Sequence, residues 1–169
     1  MIDSTTLDFS LRIFVAALLG GLIGLEREYR AKEAGFRTHF LVALGSALFM
    51  IVSAYGFEGV SMGSESRWDV SRVAAQVVSG IGFIGAGTII FSKSQNVVRG
   101  LTTAAGLWVT AAIGLTCGGG LYALAFIATF LVLLGLEAFN IVLRRLDKHR
   151  DGTRQSASSD EEEGSELNV

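Results

Sequence analysis

Asp69, Arg72 and Gln76 stand at i, i+3 and i+7, so on a helix they share one face. Such a set can be a capping acid, an ion pair and an interhelical hydrogen bond. It can also be a polar entrance that receives a cation or a partner's charge. A second group frames a short loop. Glu26, Arg27 and Glu28 close one apolar segment, and Arg37, Thr38 and His39 open the next, with Lys93 and Arg99 in a later loop. These residues read either as headgroup anchors or as a charge cluster for binding. His39 has no histidine partner except His149 in the tail, so a hydrogen-bonding role is expected rather than metal ligation. Glu137 and Asn140, three apart, end the last apolar segment. If that segment runs to 143, Glu137 is the deepest acid and could pair with Arg99 or Arg37; if it emerges near Leu136, Glu137 is wet.

No catalytic set accompanies these groups. Gly80-Ile81-Gly82-Phe83-Ile84-Gly85 matches the G-x-G-x-x-G fingerprint, but it lies inside an unbroken apolar run and lacks the strand and turn that dinucleotide binding requires. Ser-His-Asp, HExxH and Walker patterns are missing, and Ser79 is not in a nucleophile elbow. One cysteine, Cys117, excludes an internal disulfide and a cysteine-based zinc cluster. The expectation is a protein without enzymatic activity, cofactor, metal centre or nucleic-acid partner.

The elements that position these residues are membrane helices. Val73–Phe91 is 19 residues long, almost wholly apolar, with Gln76 as its only strongly polar side chain. At 1.5 Å per residue this length crosses about 30 Å of hydrocarbon. Half the chain is apolar and the apolar residues fall in long blocks rather than alternating. The fold class expected is all-α: a five-helix transmembrane bundle in residues 1–146, with spans at about 7–25, 38–55, 73–91, 101–117 and 121–143. The fourth span sits near the lower length limit. Asp8 and Arg12 are four apart and can pair at the edge of the first. The N-terminus starts with acids and shows no cleavable signal peptide.

Charge sets the expected orientation. The segments after spans one, three and five hold Arg27, Arg30, Lys32 and Arg37; Lys93 and Arg99; and Arg144, Arg145, Lys148, Arg150 and Arg154. Only Arg12, Arg67 and Arg72 fall on the other side, so the N-terminus is expected outside and the C-terminus in the cytoplasm. Residues 147–169 turn polar and acidic and read as a disordered tail.

Small residues point to close helix contacts. Gly20 and Gly24 form GxxxG in the first span, the third carries Gly80, Gly82, Gly85 and Gly87, and the fourth is rich in alanine with Thr102, Thr103 and Thr110. Spans one, three and four are therefore expected to form the tight inner bundle. The bulkier fifth, with Phe126 and Phe130, is expected to face lipid.

These blocks resemble the MgtC/SapB family of bacterial inner-membrane proteins. The residues that carry the likeness are Gly21–Glu28, Gly35–His39 with Leu41, Val42 and Gly45, Arg72, Ala74–Gly87, Arg99–Ala105, Leu107-Trp108 and Ala111–Gly114. The resemblance covers about residues 10–140. It implies a multi-pass protein of the bacterial inner membrane with a role in low-magnesium adaptation and, in pathogens, survival in macrophages. The family includes a member that acts on the membrane sector of the F-type ATP synthase. Some members add an ACT-like cytoplasmic domain, where this chain has its acidic tail.

Two functions compete on these grounds. One is a non-catalytic regulator that docks helix-to-helix on another integral membrane protein, for which the F-type ATP synthase is a candidate. The other is a transporter of magnesium or another ion, or an accessory to one, with Asp69, Glu26 and Glu137 on the pathway. A scaffold that forms homo-oligomers is a third outcome.

Overall fold

The computed structural model describes residues 3–57, 69, 71–92 and 97–138. The elements run α1 (Ser4–Tyr29), α2 (Phe36–Tyr55), α3 (Ser71–Gly87), β1 (Ile90–Ser92), β2 (Val97–Arg99) and α4 (Leu101–Gly118), then a fifth helix, α5 (Tyr122–Ala138). Two compact units are distinguished, Met1–Val132 and Leu133–Val169; of the second, residues 133–138 are described, as helix. Among the described residues, the helices α1, α2 and α4 are long and apolar enough to cross a membrane, and α5 is apolar over Tyr122–Ala138. Lys93, Arg67, Asn140, His149 and the acidic tail lie outside the described residues.

Local chemistry sets the helix ends. Asp3 caps α1 by accepting the Thr5 N–H at 3.3 Å. Its last turn closes with the Arg30 N–H on the Glu26 carbonyl, and Ala31 turns the chain at φ 51°. Gly35, the residue before α2, has no side chain to cap with. Glu28 supplies the cap instead, its Oε2 accepting the Phe36 N–H at 2.8 Å. A Cβ on Gly35 would stand 2.7 Å from that same oxygen, so the glycine keeps the approach open.

The third apolar segment departs from the expected span at 73–91. Its helix starts at Ser71 and stops at Gly87, and Ile90–Ser92 forms a strand paired antiparallel with Val97–Arg99, Ile90 opposite Arg99. The reason is local. Thr88 and Ile89 donate their N–H groups three residues back, to Gly85 and Ala86, and the Thr88 hydroxyl also takes the Gly85 carbonyl at 2.7 Å. These bonds tighten and end the helix, and the β-branched run Thr88-Ile89-Ile90 favours the extended chain that follows. The hairpin returns at Gly100, whose φ of 87° suits glycine alone and whose missing Cβ lets the Thr88 carbonyl pass.

Packing centres on α2, not on the first, third and fourth spans as their small residues had suggested. Gly20 and Gly24 of α1 press on α2: a Cβ on Gly20 would meet Ala43 Cβ at 2.5 Å, and one on Gly24 would meet Phe36 Cα at 2.7 Å. From the other side, Gly114 and Gly118 of α4 press on Ser46 and Met50, each at 2.7 Å by the same measure. The helix α2 thus lies between two glycine faces, antiparallel to α1 and parallel to α4. Ala16, Leu19, Ile23, Ala43, Ala47, Leu107 and Ile113 fill the interior. In a bilayer such close backbone approach, rather than expulsion of water, holds helices together. The helix α3 joins at the edge, Ile81 meeting Leu107 and Ala111, with Val42 and Val77 beside them.

Candidate functional site

The polar residues gather at two ends of the α1–α2–α4 core. At one end Arg12 ties three helices. Its Nη2 pairs with Asp8 at 2.6 Å, and its Nη1 donates to the Gly118 carbonyl at 2.9 Å and to the Tyr55 hydroxyl at 3.3 Å. Its guanidinium also lies over the rings of Phe9 and Tyr55, 5.6 and 5.4 Å from their centres. A positive charge on the last carbonyls of α4 also opposes the helix dipole. Arg12 is therefore a partly buried latch, and the Asp8–Arg12 pair read from the sequence is part of it.

At the opposite end, Arg27 is only 2% exposed, its Nε on the Glu26 carboxylate, whose other oxygen faces Arg30 Nε at 3.6 Å. His39 is fully buried one helix away. Glu33, in the loop before α2, accepts the Thr103 hydroxyl of α4 at 2.8 Å. Hydrogen bonds from its own backbone N–H and from Thr103 hold its carboxyl below the usual carboxylate range. This end is a polar seam joining α1, the loop, α2 and α4. Among the described residues no group of three or more His, Cys, Asp or Glu side chains could hold a metal ion.

The other candidates lie apart from this seam. Asp69 is exposed and accepts the Ser71 N–H at 3.0 Å and hydroxyl at 2.5 Å, with Arg72 Nε at 3.5 Å. Ser71, then Arg72, keep its carboxyl low. This is a helix start with an ion pair, and Arg72 is 84% exposed. Gln76 faces a groove of about 530 Å³ between α2 and α3, lined by apolar side chains such as Leu41, Phe49 and Ile84. Arg37, Arg99, Thr102 and Glu137 are exposed. Thr103, its neighbour, is the buried threonine, because it sits on the α4 face that carries Gly106 and Thr110.

The glycines of α3 divide. Gly85 meets Ala104 of α4 at ordinary contact distance, a built Cβ lying 3.5 Å from Ala104 Cβ, while Gly80, Gly82 and Gly87 meet nothing within 4 Å. On the far side of α3 from the core, Ala75, Ser79, Gly82 and Ala86 are all exposed. Their 4-3-4 spacing draws a continuous small-residue stripe along one helix face. Sequence reasoning saw the glycines without this stripe; Ala75 and Ala86, at heptad-like spacing from Gly82, were the available signal.

Comparison with known proteins gives these features a family. The MgtC family profile matches residues 13–145. YhiD of Escherichia coli (strain K12) is 52% identical over 141 residues, covering 83% of this chain and 65% of its own length. Protein MgtC of Brucella abortus (strain 2308) is 50% identical over 131 residues, 78% of this chain and 49% of its own. The uncharacterized protein slr0014 of Synechocystis is 44% identical over 136 residues. The chain thus spans about half to two thirds of the length of these curated relatives. No solved structure matches. With its apolar helices and a profile match over most of its length, the chain is a multi-pass membrane protein that belongs to the MgtC family.

Proposed function

We propose that this protein is a non-catalytic regulator that docks through α3 on another integral membrane protein during adaptation to low magnesium. The observation that carries the reading is the exposed stripe Ala75-Ser79-Gly82-Ala86. A face of small residues lets a second helix approach to backbone contact, the arrangement that drives association where lipid removes the hydrophobic incentive. The membrane sector of the F-type ATP synthase, a bundle of helices in the same bacterial inner membrane, is the target that the family resemblance suggests.

The test is ATP-driven proton pumping in inverted bacterial membrane vesicles with matched ATP synthase content. The protein should inhibit pumping, and Gly82→Leu, which has open space around it and so leaves the fold intact, should abolish inhibition while inserting normally. Unaltered pumping with the parent protein removes this target. Full inhibition by Gly82→Leu removes α3 as the docking helix.

A second reading comes from the name of YhiD, which marks that relative as a candidate magnesium transporter. On this reading the protein carries magnesium or assists a carrier. Purified protein in liposomes under an imposed magnesium gradient separates the two: flux above protein-free vesicles supports transport, and none removes direct transport of that ion.

A further inference from the structure

Three observations meet inside the core between α2 and α4. First, the Nδ1 of His39 lies 3.0 Å from the Gly35 carbonyl. A carbonyl oxygen only accepts, so Nδ1 carries a proton, and in the neutral ring Nε2 then presents a lone pair. That Nε2 is buried in a fully buried side chain and has no hydrogen-bond partner among the described residues. Second, Thr110 of α4 is also fully buried, and its hydroxyl too has no partner among the described residues. A helical threonine ordinarily turns its hydroxyl back to the carbonyl four residues earlier, as Thr116 and Thr129 do here at 2.8 Å. Third, Gly106 stands one helical turn before Thr110 and so on the same face. A Cβ built on Gly106 would meet a single side chain within 4 Å, and the atom it meets is His39 Nε2, at 3.5 Å. A methyl-sized space therefore borders the lone pair, on the helix face that carries the Thr110 hydroxyl.

Two buried polar groups without partners would each carry the full penalty of lost hydration. A small hydrogen-bond donor that also accepts would satisfy both, and a polar space of this size with polar walls is the kind that holds water. We propose that the α2–α4 interface binds one water molecule, which donates to His39 Nε2 and shares a hydrogen bond with Thr110 Oγ1 above Gly106. The site is independent of the docking surface on α3. It makes Gly106 a space-holder for a ligand, unlike Gly114 and Gly118, where the missing side chain makes room for helix backbone. It also fixes His39 as the neutral Nδ1–H tautomer in an interior whose nearby charges, Glu26 and Arg27, both come from α1.

The chain contains two histidines, so ¹⁵N-histidine labelling of the full-length His149→Gln protein in lipid nanodiscs reports on His39 alone. Nitrogen NMR should give a protonated Nδ1 and an unprotonated Nε2 shifted upfield from a bare acceptor, with a cross-peak to water. Thr110→Val, which keeps the side-chain shape, and Gly106→Ala, which fills the space, should each remove the cross-peak and return Nε2 to the bare-acceptor position. A protonated Nε2, or a parent spectrum without the water cross-peak, overturns the site. A cross-peak that survives Thr110→Val overturns the shared geometry. If Gly106→Ala does not fold, the Thr110→Val spectrum decides.

Discussion

Replacing Gly114 and Gly82 by alanine in turn tests whether helix contact, rather than glycine content, organises this fold. A Cβ on Gly114 would lie 2.7 Å from Ser46 Cβ and closer still to the Ala43 carbonyl oxygen. Carbon contacts settle at about 3.5–4.0 Å, so α4 must withdraw from α2 by on the order of 1 Å. The obstacle is backbone and has no rotamer to escape into. Overpacking of this kind costs about 1–3 kcal/mol, against a gain of about 1 kcal/mol in helix propensity. Gly114→Ala should therefore lose up to about 2 kcal/mol. Gly82 faces open space, and Gly82→Ala should keep the gain, up to about 1 kcal/mol. The propensity gain is common to both, so the two variants differ by the overpacking cost, about 1–3 kcal/mol, roughly a 5- to 150-fold change in the unfolding equilibrium. Denaturation by sodium dodecyl sulfate in mixed micelles, followed by far-ultraviolet circular dichroism, measures both. Equal stability of the two variants would refute the argument.

Other perturbations probe the remaining contacts. Arg12→Met should lower stability by about 2–4 kcal/mol, from a charge-assisted bond to the Gly118 carbonyl and the aromatic contacts. Arg12→Lys should recover part of it, both read by the same unfolding titration. Gly100→Ala should be more damaging than Gly82→Ala by about 1–2 kcal/mol, because its backbone is left-handed and its Cβ would strike the Thr88 carbonyl. Glu33 has a depressed carboxyl pKa when folded, so its contribution is present above the unfolded value and lost as pH falls through the folded one. Thermal melting through the acid range should show that loss shrink in Thr103→Val.

The sequence carried the helical segments well, because long apolar blocks leave few alternatives, and α2 and α4 begin and end within two residues of their expected bounds. The end of α3 was harder to see. Apolarity continues to Phe91, and only the β-branched run after Gly87 distinguishes strand from helix. The central place of α2 was also hidden. Ala43, Ser46 and Ala47 look ordinary until the glycines of two other helices are found against them. Of the polar residues, the Asp8–Arg12 pair follows from i, i+4 spacing, and the Asp69–Arg72 pair from i, i+3. The Glu33–Thr103 bond joins residues 70 apart, and the burial of His39 depends on three helices meeting. Neither has a local signature.

Ala43 has one further consequence, for how this protein can change over generations. Gly20 abuts its methyl group from one side and Gly114 its carbonyl from the other. Positions 20 and 43 therefore share a single volume, and substitutions at them are coupled rather than additive, whereas position 114 is blocked by backbone that no change of side chain at 43 removes. Position 20 already holds the smallest residue, so the pair has one methyl group in reserve, that of Ala43. Ala43→Gly is the permissive first step toward Gly20→Ala, since it clears the nearer of the two obstacles and leaves the His39 carbonyl at 2.7 Å. A lineage that enlarges position 20 first must cross an overpacked intermediate, so the order of substitutions at these two positions is set by geometry.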